Sequence, residues 1–149
     1  MQKCTLALGC FWNPEETFKS KAGIIETEVG YAGGLNERVT YEEVCNGNTG
    51  HAEVVRLTFD ENIISFKKII DLFFKMHDPT QKDMQYPDVG TQYRSEIFYE
   101  TDQQKQEATK ILNEFNKKFD GKIQTNISKI KNYCKAEEYH QKYIEKNKQ

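Results

Sequence analysis

Cys10 is the residue whose type and position offer the most reactive chemistry in this chain. It lies in the run Gly9–Trp12, between a short apolar stretch and a helix predicted to begin near Pro14. A helix N-terminus offers free N–H groups and partial positive charge, which favour a thiolate. The alternative is an inert buried cysteine, which is how most free cysteines behave. Phe11 and Trp12 can wall an apolar pocket beside the sulfur, or they are ordinary core residues.

Glu53 is the candidate acid. It lies between Ala52 and Val54 at the start of a predicted strand. A carboxyl group in apolar surroundings has a raised pKa and can donate a proton near neutral pH. The alternative is a solvated strand end. Glu42 and Glu43 are interpreted as solvated charges on a helix face.

Polar groups also gather near the end of a long segment, residues 77–91, which is rich in Asp, Pro, Gln and Gly. A loop of that length in a small domain is usually functional. Asp88, Gln92 and Tyr93 can present polar groups to a ligand there, and the alternative is an ordinary loop that enters a strand.

Two histidines raise the alternative of a cysteine–histidine hydrolase. His51 lies two residues before Glu53 and is interpreted as a structural hydrogen-bonding residue, while His140 is given a supporting place. The histidines and cysteines lack the spacing of a metal site, so we expect no metal.

The elements that must position these residues follow from hydrophobic periodicity. Alternation predicts strands over residues 24–31 and 52–59. A short buried strand is predicted over 3–8, and two further strands over 93–99 and 123–130. A 3.6-residue period predicts helices from Pro14 to about residue 21, over 63–76 with Ile63 on the apolar face, from a Thr101 cap to about 119, and over 136–147. Strands and helices mix without regular alternation, which indicates an α+β fold with helices packed on a mixed sheet.

Composition bounds the function. The 149 residues carry 37% hydrophobic and 30% charged side chains with a net charge of −2, as expected for one domain over residues 1–149. No basic field for nucleic acid and no membrane-spanning run is present in the sequence. The four cysteines are too sparse for a disulfide scaffold, and we interpret no secretion signal, so free thiols in the cytoplasm are expected.

Seven blocks of the sequence, in order, resemble the peptide methionine sulfoxide reductase A family. They cover nearly the whole chain: GCFW (9–12) with Glu15, GYAGG (30–34), YEEVC (41–45), TGHAE (49–53), HDPTQ (77–81), DVGTQYRS (88–95) and AEEYHQKY (136–143). The resemblance implies a two-layer sandwich of helices on a mixed sheet with a ferredoxin-like core. It implies reduction of the S epimer of methionine sulfoxide, in protein repair.

The resemblance also implies roles. Cys10 is the nucleophile that becomes a sulfenic acid, and Glu53 protonates the sulfoxide oxygen with help from Tyr41 and Tyr93. The substrate residues it implies are Phe11 and Trp12 for the methyl group and Asp88 for polar fixation. It implies no bound cofactor, a thioredoxin, glutaredoxin or small-thiol reductant, and a monomer.

The sequence departs from the family pattern at two places. Asn13-Pro14 follows GCFW where a glycine is usual, and Asn13 is predicted to cap the helix instead. The sequence ends at Lys148-Gln149, where many relatives continue into a tail with recycling cysteines.

Cys134 is therefore the candidate resolving thiol, and Cys45 is assigned no resolving role. Direct reduction of Cys10 by an external thiol is the alternative. Whether position 10 is natively cysteine or selenocysteine stays open. The rival functions are a thiol peroxidase, a cysteine hydrolase, and a binding module for oxidised methionine.

Overall fold

A computed structural model describes residues 1–148 of the protein. Its strands are β1 (Gln2–Leu8), β2 (Ile24–Ala32), β3 (Ala52–Phe59), β4 (Met84–Gln85), β5 (Asp88–Val89), β6 (Ser95–Tyr99), β7 (Asn126–Lys129) and β8 (Cys134–Lys135). Its α-helices are α1 (Trp12–Lys19), α2 (Tyr41–Cys45), α3 (Phe66–Met76), α4 (Asp102–Lys118) and α5 (Tyr143–Lys146). Thr91–Tyr93 and Glu138–His140 form 3₁₀ turns.

Six strands form one sheet in the order β7-β6-β1-β3-β2-β8. Its ladders are antiparallel except the one between β6 and β7, so the sheet is mixed. The four central strands follow the chain order β1-α1-β2-β3-α3-β6, which is the ferredoxin-like βαββαβ arrangement. The α+β fold with helices on a mixed sheet is thereby confirmed.

One face of the sheet carries the large apolar side chains, and the helices pack on it. Leu6, Val55 and Leu57 alternate inward from β1 and β3 and meet Phe18 of α1 and Phe73 of α3. Side chains on a strand alternate between faces, so Glu53 shares this helix-covered face with Val55. The opposite face carries a smaller apolar cluster that includes Ala7, Val54 and Phe98.

Several predicted elements agree with the structure to within a residue or two. Thr101 caps α4 as predicted, because its hydroxyl accepts a hydrogen bond from the Gln104 N–H at 3.1 Å. The long segment 77–91 contains the short hairpin of β4 and β5. No helix among residues 1–148 is long and apolar enough to cross a bilayer.

The predicted starts of two helices are wrong. Asn13 does not cap α1, because the helix begins one residue earlier and Phe11 occupies the cap position without a side-chain hydrogen bond. α3 begins at Phe66, where the Ser65 hydroxyl accepts from the Lys68 N–H. Ile63 therefore precedes the helix and is 61% exposed. The predicted strand over 93–99 begins only at Ser95, because a 3₁₀ turn takes residues up to Tyr93.

The predicted helix over residues 136–147 is also wrong. A 3₁₀ turn over Glu138–His140 is followed by extended Gln141 and by Lys142 in the left-handed region at φ +52°. α5 is only four residues long. Gln141 and Lys142 form hydrogen bonds with distant parts of the chain, and these replace the hydrogen bonds of a continuous helix.

Candidate active site

Cys10 lies in the turn between the buried strand β1 and the first turn of α1. Gly9 takes a φ of +95°, a conformation that favours glycine, and so redirects the chain out of the sheet. The side chain of Cys10 is half-buried. The turn thus holds the sulfur at the end of the central strand β1, partly open to solvent.

The Cys10 thiol is protonated at neutral pH, although the N-terminus of α1 favours a thiolate. Burial raises its pKa to about 11, and the negative charges of Glu53, Asp88 and Cys45 add to the rise. The backbone N–H of Trp12, at the start of α1, acts in the opposite direction and lowers the pKa. Desolvation of the half-buried sulfur outweighs this helix-end contribution, and the acidic groups around the sulfur act in the same direction as desolvation.

Glu53 has the properties of an acid at neutral pH. Its side chain is 1% exposed, and burial raises its pKa to about 7, with the charge of Asp88 acting in the same direction. The backbone N–H of Phe11 donates to its Oε1 at 3.2 Å, which opposes the rise. That hydrogen bond also ties the carboxyl group to the residue next to Cys10.

Tyr41 and Tyr93 approach the same cluster from two other segments. Burial raises the pKa of both phenols, and the charge of Glu53 raises each of them further. Cys45, one helical turn after Tyr41 on α2, also contributes to the raised pKa of both tyrosines. Both phenols therefore stay protonated and available as hydrogen-bond donors throughout the neutral range.

Asp88 lines a cleft of about 280 Å³ that opens beside Cys10. Its carboxylate raises the pKa of Cys10, Glu53 and Tyr93, which places it in the same electrostatic group. His77 lines the cleft too, with a pKa lowered to about 4 by burial, so it is neutral there. Its ring nitrogens are hydrogen-bonded to the Phe73 carbonyl and the Ser95 hydroxyl, so His77 has a structural role in the wall of the cleft.

An aromatic cluster stands on another side of the site. The Phe11 ring lies 5.7 Å from that of Tyr31, and the Trp12 indole stacks on Tyr143 at 3.8 Å between centroids. The Trp12 Nε1–H donates to His140 Nδ1 at 3.0 Å. These contacts fix the two predicted substrate-pocket residues by packing and by a hydrogen bond.

Residues 136–143, which follow β8, connect the elements of the site through hydrogen bonds. The sequence predicts only a supporting place for His140 in this segment. Glu137 accepts from the Tyr31 hydroxyl at 2.8 Å and from the Tyr41 N–H at 2.9 Å. Gln141 bonds both the N–H and the carbonyl of Val29. The AEEYHQKY block, in which the polar residues His140 and Gln141 are buried, was the sequence signal for these roles.

Glu15 is a further buried carboxyl that sequence reasoning left without a role. It accepts from the Thr27 hydroxyl and from the Lys142 N–H, both at 2.7 Å. It therefore joins α1, β2 and the C-terminal segment.

Cys134 lies on the same face of the sheet as Glu53, two strands away. Tyr31 pairs with Glu53 on one side and with Cys134 on the other, so the three side chains share one level. The Cys134 sulfur is half-buried and lies 3.7 Å from the Val39 carbonyl oxygen. All four cysteines are reduced in this structure.

Of the two histidines, only His140 joins the aromatic cluster. His51 is directed elsewhere, because its Nε2–H donates to the Asn132 carbonyl at 3.1 Å. Within residues 1–148, no group of three or more His, Cys, Asp or Glu side chains is arranged to hold a metal ion.

An α+β domain in which a cysteine lies beside a buried carboxyl of raised pKa has the design of a cysteine-dependent enzyme. A family model described as peptide methionine sulfoxide reductase matches residues 2–149. A Pelagibacter ubique protein named peptide methionine sulfoxide reductase MsrA is 56% identical over 146 residues, covering 98% of this chain and 99% of that protein.

Solved structures agree with this relationship. The reduced form of Mxr1 from Saccharomyces cerevisiae superposes with a TM-score of 0.94 at 41% identity, covering 98% of this chain and 85% of that one. Mxr1 in complex with Trx2 gives 0.68 at 30% identity, covering 95% and 84%. The chain belongs to the peptide methionine sulfoxide reductase family, and the resemblance of its seven sequence blocks is confirmed.

Proposed function

We propose that this protein reduces the S epimer of methionine sulfoxide, free or in peptides, with Cys10 as the nucleophile and Glu53 as the acid. The observation that carries the proposal is the pair itself. A buried carboxyl with a pKa of about 7 is bonded to the backbone N–H next to a half-buried cysteine. We further propose that residues 1–149 act as one catalytic domain; Gln149 lies outside the described residues.

The chemistry needs a proton on the oxygen and electron density on the sulfur. The sulfoxide oxygen is a poor leaving group until it is protonated, and protonated Glu53 supplies that proton. The Cys10 sulfur forms an S–S bond to the sulfoxide sulfur as the S–O bond breaks and the protonated oxygen leaves as hydroxide. That hydroxide then attacks the Cys10 sulfur, and cleavage of the S–S bond releases methionine and leaves the oxygen on Cys10. The thiol proton returns to Glu53, so that Cys–SH and sulfoxide become Cys–SOH and methionine.

The raised pKa of Cys10 fits this proton balance. Protonation of Glu53 removes one of the negative charges that oppose a thiolate at Cys10. Proton transfer and attack are thereby coupled, and the thiol stays protected from other oxidants when no substrate is bound. Tyr41 and Tyr93 donate hydrogen bonds to the sulfoxide oxygen as its negative charge develops.

The asymmetry of the site accounts for epimer selection. A sulfoxide has a methyl group on one side of sulfur and the oxygen on another. Phe11 and Trp12 receive the methyl group, and Asp88 fixes a polar part of the substrate. The other epimer would direct its oxygen toward the aromatic rings, where no donor replaces Glu53.

We propose that a thiol reductant returns Cys10 to the thiol. Its class is thioredoxin, glutaredoxin or a small thiol, and no bound organic cofactor takes part. Cys134 remains our predicted resolving thiol, because it lies at the level of Glu53 on the same face of the sheet. We place the enzyme in the cytoplasm as a monomer, where such reductants act on it.

Single-turnover release of methionine tests the proposed function. Without reductant, we expect about one methionine per chain from the S epimer, none from the R epimer, and none from Cys10→Ser. Hydrogen peroxide consumed in preference to sulfoxide would establish a thiol peroxidase instead. Binding of the sulfoxide without release of methionine by the parent protein would leave a binding module.

The same reaction tests recycling. After one turnover, mass spectrometry of the parent should show a disulfide that includes Cys10 and is lost in Cys134→Ser. Cys45→Ser is the matched control, since Cys45 is an exposed cysteine that was assigned no resolving role. A Cys10–Cys45 disulfide would reject Cys134 as the resolving thiol, and a sulfenic acid in all three proteins would mean direct reduction.

A further inference from the structure

His140 is almost completely enclosed within the aromatic cluster. Its side chain is 1% exposed. Ring centroids of Tyr41, Phe11 and Trp12 lie 4.5, 5.2 and 5.7 Å away. It therefore joins the C-terminal segment to both α1 and α2 at the substrate side of the site.

The hydrogen bond with Trp12 fixes the tautomer of His140. An indole N–H only donates, so His140 Nδ1 must accept, and in the neutral ring the proton is on Nε2. His140 Nε2 is buried and has no hydrogen-bond partner. A buried donor without a partner is unfavourable, so a phenylalanine would pack here at lower cost. What the histidine provides that phenylalanine cannot is an acceptor for the Trp12 N–H.

We propose that His140 is a positioning residue that sets the rotation of the Trp12 indole, and through it the shape of the pocket for the substrate methyl group. This inference rests on the proposed function, in which Trp12 lines that pocket. His140 does not touch the reacting atoms. It acts through Trp12, which it holds from one edge while Tyr143 stacks on the indole face.

The neutral state of the ring is part of this role. The groups that face it are Glu137 from its own segment, Tyr41 from α2, and Tyr139; of these, only Glu137 is ionised at neutral pH. Burial lowers the pKa of His140, and the charge of Glu137 opposes that lowering. Protonation would place an N–H on Nδ1 opposite the Trp12 N–H, and the hydrogen bond would be lost.

Trp12 is the only tryptophan of the chain, so its fluorescence reports this hydrogen bond directly. The test compares His140→Phe, which keeps a ring without an acceptor, with His140→Gln, whose amide oxygen can accept. His51→Gln is the matched control, because His51 is also a buried histidine but bonds to Asn132. Emission spectra of each protein are recorded without substrate, and kcat and KM are measured with the S epimer.

We expect His140→Phe to shift the Trp12 emission and to raise KM about tenfold, with a smaller change in kcat, as the loss of one positioning hydrogen bond implies. His140→Gln should restore both, and His51→Gln should change neither. Unaltered emission in His140→Phe, or equal damage in His140→Gln and His140→Phe, would overturn the proposal.

A titration of the parent gives a second reading that does not depend on a His140 variant folding. Trp12 emission should change on acidification below the ordinary range of histidine, and His51→Gln should show the same change. No emission change before acid unfolding would count against the role of His140. Because fluorescence requires no turnover, a shifted emission in a protein that releases no methionine would reject the proposed function while leaving the Trp12–His140 contact established.

Discussion

At the scale of single residues, the chemistry depends on two protons, one on Glu53 and one on Cys10. Both groups have a raised pKa, to about 7 and about 11, and burial is the first cause in each case. Burial disfavours the charged forms, so the resting site holds a neutral acid and a neutral thiol below pH 7.

The pH dependence of the first turnover follows from Glu53. Its acid form predominates below a pH of about 7, so the single-turnover rate should be highest there and fall about tenfold per pH unit above it. Cys10 stays a thiol across this range. Rapid-quench release of methionine between pH 5.5 and 9 measures the profile. A rate that instead rises steadily toward pH 9 would mean that thiolate formation, not the acid, limits the reaction.

Replacement of Glu53 by glutamine should separate activity from stability. We expect the first turnover to slow by roughly 10²–10⁴-fold, the usual contribution of a general acid. Single-turnover assays of Glu53→Gln at pH 6 measure this loss. Activity within a few-fold of the parent would assign the acid to another group.

The stability effect of the same substitution has the opposite sign. Unfolded Glu53 loses its proton near 4.5 and folded Glu53 near 7, so the folded state binds more protons between these values. The free energy of unfolding of the parent should therefore fall by about 3 kcal/mol, relative to that of Glu53→Gln, as pH rises through this window. Urea unfolding at pH 4.5 and pH 8 measures the difference. Parallel pH profiles for the two proteins would mean that Glu53 titrates normally.

At the scale of elements, short helices position the site and local capping holds them. α2 is five residues long and carries Tyr41 into the site. Its start is a capping box, in which the Thr40 hydroxyl accepts from the Glu43 N–H and the Glu43 carboxylate accepts from the Thr40 N–H. Glu43, interpreted from the sequence as a solvated charge, thus has a structural role.

Thr40→Ala should lower both stability and activity, and Thr101→Ala should lower stability alone. Each removes an N-cap, which costs about 1 kcal/mol. α2 carries Tyr41, whereas α4, which Thr101 caps, carries no residue of the site. Thermal unfolding and kcat/KM measured on both variants test this contrast. Equal activity losses would mean that the assay reports general destabilisation.

At the scale of the whole molecule, the C-terminal segment links the outer part of the sheet to both helices of the site. The buried amide of Gln141 donates to the carbonyls of Val29 and Ala136 and accepts from the Val29 N–H. Gln104 makes the same pattern far from the site, donating to Gln2 and Lys3 and accepting from the Glu100 N–H. The two glutamines form a natural pair of test and control.

Gln141→Ala and Gln104→Ala should each lower the free energy of unfolding by about 1–3 kcal/mol, since each leaves buried or partly buried backbone groups without a partner. Only Gln141→Ala should also reduce kcat/KM, because Gln141 anchors the segment that carries Glu137 and His140. Urea unfolding and steady-state kinetics on both variants provide the measurement. An undiminished kcat/KM in Gln141→Ala would show that the site does not need this anchor.

The sequence by itself determined the four central strands to within two residues, the α+β class and the catalytic candidates. Alternation over residues 52–59 and the 3.6-residue period of α3 and α4 are local signals, because a side chain's face depends only on its spacing along the element. Cys10, Glu53, Tyr41 and Tyr93 were named from residue type and motif, and the same blocks identified the family.

Tertiary structure decided what depends on partners distant in the chain. The polar pattern of residues 136–147 predicts a helix. In the structure Gln141 accepts a hydrogen bond from the Val29 N–H and the Lys142 N–H donates to Glu15, and these tertiary contacts replace a continuous helix. The pKa of Cys10 was likewise beyond the sequence, because burial outweighs a helix N-terminus only once the surrounding atoms are in place. Desolvation and long-range hydrogen bonds arise from packing, whereas spacing along the chain sets only the faces that pack.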